Sequence, residues 1–152
     1  VNNFKFNLAR FIPFRDSKIC AKARAIKKED ITKHPNPDFK IRVIEESSRF
    51  YFEFALDILT RIQRSLREKK NLVLILPVGP TPQFQILARL INELKISCHH
   101  VHTFNMDEYA DENGKTAPAS WEGSFQKSIW DNFFNLIDKE LRPPKKQIHF
   151  PT

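Results

Sequence analysis

The run Leu72-Val-Leu-Ile-Leu76 constrains the fold of this chain more than any other stretch. It is apolar without alternation, whereas a strand with one wet face alternates apolar and polar residues. A continuous run of this kind reads as a strand buried on both faces, the habit of parallel sheets between helix layers. Helical periodicity flanks it on both sides. Upstream, Tyr51, Ala55, Ile58, Leu59, Ile62 and Leu66 recur at helical spacing, with Arg61, Arg64, Arg67 and Glu68 on the wet side. Ser47 or Ser48 is expected to cap the start of this helix, and Lys69 and Lys70 suit its C-terminal end. Downstream, Thr81 is the expected N-cap and Pro82 the first position of a helix that buries Phe84, Leu87, Leu90, Ile91 and Leu94.

The rest of the chain continues this alternation. Lys40 to Ile44 (KIRVI) and His100 to Phe104 (HVHTF) read as short strands. Trp121, Phe125, Ile129, Phe133 and Ile137 mark a third helix, ended before Pro143-Pro144. Ile148 to Pro151 closes the series as a fourth strand. Strands alternating with helices predict an α/β fold, a mostly parallel Rossmann-like sheet flanked by helices with right-handed crossovers. The chain reads as the first half of a larger, doubly wound domain. The turn His34-Pro-Asn-Pro-Asp38 divides it into a basic extension (residues 1–40) and the domain part (residues 41–152).

Charge locates the extension. Residues 1–40 hold ten Lys and Arg against four Asp and Glu, so the net charge of +7 falls almost entirely there. No aromatic–basic nucleic-acid motif or Cys/His finger accompanies it, so nucleic acid is not the expected partner; a solvated or oligomer-contacting arm is. No apolar run is long enough to span a membrane, no signal-peptide pattern is present, and no membrane partner is expected. Cys20 and Cys98 have no metal-ligand spacing and suit a reducing, cytoplasmic setting. Fourteen Phe against three Gly predict a core of large side chains and few positions free to take positive φ.

In parallel α/β sheets, ligands bind beyond the carboxyl ends of the strands. Two segments take that position, Pro77 to Pro82 and Asn105 to Tyr109. The first leads into a helix N-terminus, whose free N–H groups and dipole suit a phosphate or carboxylate. It also fits an ordinary strand-to-helix turn. The second carries adjacent carboxylates, Asp107 and Glu108. Either is a candidate general base if a pocket receives it, and either also fits a solvated or capping residue. His99, His100 and His102 are clustered, with His100 and His102 on one strand face, but read as strand packing rather than a metal site.

LVLILPVGPTP, then HVHTFNMDEY, PASW and DNFF, resemble the glucosamine-6-phosphate deaminase/isomerase family over roughly Leu72 to Phe134. FNMDEY is the specific part. The resemblance implies conversion of glucosamine 6-phosphate to fructose 6-phosphate and ammonia, without a metal or organic cofactor. It implies that Asp107 moves a proton between C2 and C1 of the open-chain sugar. Val78, Gly79, Pro80 and Thr81 would form the phosphate loop, with Glu108 at the pocket edge supporting the site. It also implies homo-oligomers, because family members often assemble into rings.

Two positions depart from the family's L-P-T-G-[GS]-T-P. Val78 stands where a Thr hydroxyl is expected, and Pro80 where a Gly or Ser would give an N–H. Each lost charge-assisted hydrogen bond weakens a phosphate cradle by ~1.5–3 kcal/mol. The family's ring-opening Asp/His/Glu group and later phosphate-binding cations lie beyond Thr152, so these 152 residues alone are not expected to turn over substrate. A 6-phosphogluconolactonase-like hydrolase is the alternative enzyme, but its acidic motif reads D-E-R and Tyr109 argues against it. A sugar-phosphate binder without turnover is the alternative from another class.

Overall fold

The computed structural model describes residues 16–152, so residues 1–15 of the basic extension lie outside the described residues. The first element, α1 (Ser17–Arg24), starts after Asp16, whose carboxylate accepts from the N–H groups of Lys18 and Ile19 at 3.0 Å. It buries none of its side chains.

Lys40 to Ile44 forms no strand, contrary to the sequence expectation. A strand exists only where a neighbour completes its ladder, and this segment runs beside the next helix instead. Arg42 pairs with Glu53 of that helix at 2.6 Å. The helix, α2 (Ser47–Arg67), has Glu46 rather than Ser47 or Ser48 at its N-cap, with no side-chain cap bond. The Ser48 hydroxyl is turned to the Glu46 carboxylate instead. Ala55, Ile58, Leu59 and Ile62 are buried, as their spacing predicts, while Arg61 and Arg64 bond Asp57 and Glu68 one turn away on the wet side. Leu66 is exposed.

Two matched turns feed helices into strands. After α2, Lys69 takes φ 54°, and Lys70 N–H donates to Ser65 O at 2.9 Å. After α3 (Pro82–Glu93), Lys95 takes φ 51°, and Ile96 N–H donates to Ile91 O at 3.0 Å. Both are left-handed closures of the kind glycine usually makes; in a chain with three Gly, lysine makes them.

The strands β1 (Leu72–Leu76), β2 (Val101–Asn105) and β3 (Ile148–His149) form a parallel sheet in the order β1-β2-β3. Leu72 pairs with Val101, Leu76 with Asn105, and Thr103 with Ile148. Leu72, Leu74, Leu76, Val101 and Ile148 join α2 and α3 in one core with Phe84, Leu87, Ile91, Ile129, Phe134 and Ile137. Val73 and Ile75 point the other way and are 60% and 67% exposed. The unbroken apolar run thus has one covered face among the described residues, not two. Leu94, expected in the core, is also exposed because it caps α3 at its turn.

The third predicted helix is shorter than its periodicity suggests. α4 covers Phe125–Asn132, and Phe133 leaves helical geometry at φ −139°, ψ −74° before a 3-10 turn at Phe134–Leu136. The break lets consecutive phenylalanines both enter the core, where a continuous helix would splay them by about 100°. Phe133 packs on Phe84 and Phe134 on Trp130, with ring centres 5.2 and 5.1 Å apart. Asn92 of α3 locks the turn, donating to Leu136 O and accepting from Asp138 N–H.

Candidate functional site

The three strand ends are tied together. One residue past the final β1–β2 pair, Met106 N–H donates to Leu76 O at 2.9 Å. The Asn105 amide donates to His149 O at 2.9 Å, joining the end of β2 to that of β3. Asp107 therefore leaves the sheet beside the loop that follows β1, and the two segments singled out by sequence share one edge.

On that edge, neighbouring carboxylates have opposite surroundings. Asp107 is exposed, and its carboxylate has no hydrogen-bond partner among the described residues. Glu108 folds back onto the start of α4. Its carboxylate accepts from Phe125 N–H at 3.0 Å, Gln126 N–H at 2.9 Å, Ser124 Oγ–H at 2.8 Å and Tyr109 N–H at 2.9 Å. Ser124, the N-cap, accepts in turn from Lys127 N–H at 3.2 Å. The donors that a helix N-terminus leaves unsatisfied are thus taken up by one carboxylate and one hydroxyl, with the negative charge at the positive end of the helix dipole.

Beyond Glu108, Tyr109 packs edge-on against Trp121 (5.5 Å, 86°) and against Phe125 (4.6 Å). The intervening loop closes on itself: Asp111 Oδ1 accepts from Asn113 and Lys115 N–H, and Ala117 N–H donates to Tyr109 O at 2.7 Å. Trp121 lies over Gly123, where a side chain has no room.

The loop after β1 is built differently. Pro77, Pro80 and Pro82 contribute no N–H, and the N–H groups of Val78, Gly79 and Thr81 have no partner among the described residues. Gly79 and Pro80 are exposed, while Val78 and Thr81 are half-buried. Thr81 occupies the N-cap of α3 but with helical dihedrals (φ −85°, ψ −27°), and its hydroxyl makes no capping bond. The predicted cap is right in position and absent in chemistry, which leaves the hydroxyl unspent. Just inside α3, Gln83 is fully buried with neither amide atom partnered by protein.

The histidines separate. His100 Nε2 lies 2.9 Å from Ser65 Oγ and 3.2 Å from Ile62 O, on the α2 side. His102, between buried Val101 and Thr103, alternates to the other face. No cluster of three or more His, Cys, Asp or Glu suited to a metal ion occurs among the described residues. Burial pushes the Cys98 thiol up to about 12, so it is an inert core sulfur. A groove of about 620 Å³ lies between Lys40–Ile44 and the N-terminal half of α2. It includes Glu53, whose carboxyl is held below its usual range by the Arg49 hydrogen bond and by Arg42 nearby.

Sequence reasoning missed Ser124, and it placed Asn105 and Met106 in the edge segment without giving either a role. Ser124 had a readable signal, a good N-cap directly before Phe125, hidden because the helix was started at Trp121. Met106 acts through its backbone and leaves no side-chain signal.

No family model matches the chain. A glucosamine-6-phosphate deaminase of Caenorhabditis elegans is 38% identical over 99 residues, which is 63% of this chain and 35% of that protein. The enzyme of the same name from Haemophilus influenzae (strain PittEE) is 42% identical over 72 residues, 46% of this chain and 25% of its own length. Glucosamine-6-phosphate deaminase 2 of Giardia intestinalis is 34% identical over 98 residues, 63% of this chain and 34% of its own. A solved monomeric glucosamine-6-phosphate deaminase of the NagB superfamily superposes with a TM-score of 0.50 at 28% identity, covering 67% of this chain and 39% of that one. The match spans about a third of the length of most of these relatives. Over the segment it shares with them, the chain is similar in sequence and fold to glucosamine-6-phosphate deaminases.

Proposed function

We propose that residues 41–152 supply the catalytic carboxylate and the phosphate loop of an amino-sugar phosphate isomerase/deaminase, acting on glucosamine 6-phosphate. In this reading Asp107 takes the proton from C2 of the open-chain sugar and returns it to C1. The C2 amine gives up one proton and the C1 oxygen gains one, so the C1 aldehyde becomes an alcohol and C2 an imine, which water cleaves to the ketone and ammonia. The observation that supports it is the division of labour at the sheet edge: Glu108 is spent on the α4 N-terminus, while Asp107, one residue earlier, has an uncommitted carboxylate. The N–H groups of Val78, Gly79 and Thr81 and the Thr81 hydroxyl are the proposed phosphate contacts, and Glu108 holds the pocket edge in place. The ring-opening group implied by the resemblance has no counterpart in the shared segment, so turnover is assigned to the longer protein. A cytoplasmic setting is part of the same proposal, since Cys20 and Cys98 are free thiols.

The test is ammonia release from glucosamine 6-phosphate by the full-length protein and its Asp107→Asn variant. Loss of a proton-transfer group lowers kcat roughly 10²–10⁴-fold, with binding of the sugar phosphate retained. Activity that survives the substitution removes Asp107 from this role. One observation favours a second reading: Pro80 stands where the family pattern has an N–H in the cradle. Wild-type protein that binds the sugar phosphate but releases no ammonia is then a binder without turnover.

A further inference from the structure

Two glutamines are buried among the described residues, Gln83 and Gln147, and the fold treats them differently. The Gln147 amide donates to His99 O at 2.9 Å and to Val101 O at 3.0 Å. Gln83 is 0% exposed, and neither its Nε2 nor its Oε1 has a partner. An amide buried without hydrogen bonds is less favourable than an apolar side chain of the same shape. Leu87 and Ile91 lie on the same face of α3, one and two turns further on, and are buried and apolar. A hydrocarbon at position 83 would simply continue that stripe, so the amide has no reason within the fold.

Its position supplies one. Gln83 is the second residue of α3, and helical side chains lean back toward the N-terminus, over the turn that precedes their own Cα. For Gln83 that turn is residues 79–82, the end of the loop after β1. The backbone N–H of Gln83 is also unpartnered among the described residues, like those of Val78, Gly79 and Thr81, whereas the N–H groups of Phe84 and Gln85 are taken by Thr81 O. Pro80 interrupts this row of donors, because it has no N–H. We propose, on the reading of the loop after β1 as a phosphate loop, that the Gln83 amide is a further contact of the sugar phosphate. Its Nε2–H bonds the phosphate oxygen that Pro80 cannot serve. Phosphate oxygens accept hydrogen bonds, so they take the Nε2 side of the amide and leave Oε1 to a donor such as a sugar hydroxyl. A neutral amide suits a donor that waits inside the protein, since an unpaired buried ammonium or guanidinium would be far less favourable. The amide is closed off in this structure, so the contact forms when the exposed loop tip, Gly79 and Pro80, gives way. There is room for that movement: apart from its chain neighbours, no atom lies within 4 Å of where a Cβ on Gly79 would stand.

The test is calorimetric binding of glucosamine 6-phosphate to the full-length protein and its Gln83→Met variant, with urea unfolding of both. Met matches Gln in length and shape without its hydrogen bonds, so the variant folds, which an unchanged circular dichroism spectrum verifies. Roughly tenfold weaker binding is expected. The urea midpoint should stay or rise, because no hydrogen bond of the fold is lost. In a Pro80→Ser background, where the loop regains an N–H, the same substitution should weaken binding only about threefold. An equal loss in both backgrounds shows that the amide does not stand in for the missing N–H. A lower midpoint, with or without lost affinity, makes Gln83 a structural residue satisfied by buried water and removes it from the site. Wild-type binding that Gln83→Met leaves intact overturns this role alone. Wild-type protein with no affinity for glucosamine 6-phosphate overturns the phosphate-loop reading, and the role of Gln83 with it.

Discussion

The two loops at the carboxyl edge of the sheet keep their shape by opposite means. After β2, the chain is held by hydrogen bonds: Met106 to Leu76, and Glu108 to three backbone N–H groups and the Ser124 hydroxyl. After β1, three prolines in six residues limit the backbone covalently, and the N–H groups of Val78, Gly79 and Thr81 and the Thr81 hydroxyl are uncommitted among the described residues. A loop tied by hydrogen bonds has spent its polar groups, so cutting one tie loosens it. A loop stiffened by proline keeps its groups for a ligand at the cost of the N–H that each proline lacks. The first loop therefore carries stability, and the second carries affinity. Substitutions that separate these two quantities test the comparison.

The largest effect is expected at Glu108. Glu108→Ala strands the N–H groups of Phe125 and Gln126 at the start of α4 and removes a favourable charge from its dipole. A stability loss of about 3 kcal/mol follows, read as a lower urea midpoint with an unchanged slope. Glu108→Gln keeps an acceptor without the charge and loses about half as much. If Glu108→Ala leaves the midpoint in place but abolishes turnover, Glu108 acts on the substrate and the contrast with Asp107 fails.

A smaller effect is expected at Gly123, in the same tied loop. A Cβ there would come within 2.6 Å of Trp121 Cζ2 and Cζ3, so the indole must leave its place beside Tyr109. Trp121 is only half-buried and has somewhere to go, which limits the cost of Gly123→Ala to about 2 kcal/mol. In a Trp130→Phe background, where Trp121 alone fluoresces, its emission moves to longer wavelength. An unmoved emission maximum means that this aromatic contact does not set the loop's shape.

What could be read from sequence follows from how local each cause is. α2, α3, β1 and β2 were legible because helical spacing and an apolar run are local properties of the chain. Lys40–Ile44 was misread because β-propensity says nothing about the partner a ladder requires, and Arg42 is held by Glu53 of a helix instead. The exposure of Val73 and Ile75 escaped for the same reason, since an apolar side chain does not report what covers it. At the site, FNMDEY located the edge, but spacing did not separate Asp107 from Glu108. The separation depends on Ser124, Phe125 and Gln126, sixteen to eighteen residues away in the chain.

The smallest effect, and the finest discrimination, is at Thr81. As an N-cap residue it would ordinarily be worth about 1 kcal/mol to its helix. Here its hydroxyl makes no cap bond, and Thr and Val have the same shape. Thr81→Val in the full-length protein should therefore leave the unfolding midpoint within ~0.5 kcal/mol of wild type. If the hydroxyl instead meets the sugar phosphate, the same substitution costs about 1.5 kcal/mol of binding, roughly tenfold in Kd by calorimetry, and Thr81→Ser restores most of it. Lost stability with unchanged affinity makes Thr81 a structural cap, and the loop after β1 then has the same role as the loop after β2. Lost affinity with unchanged stability is the result that keeps them apart, because only a polar group unspent in folding is free to bind a ligand at no cost to the fold.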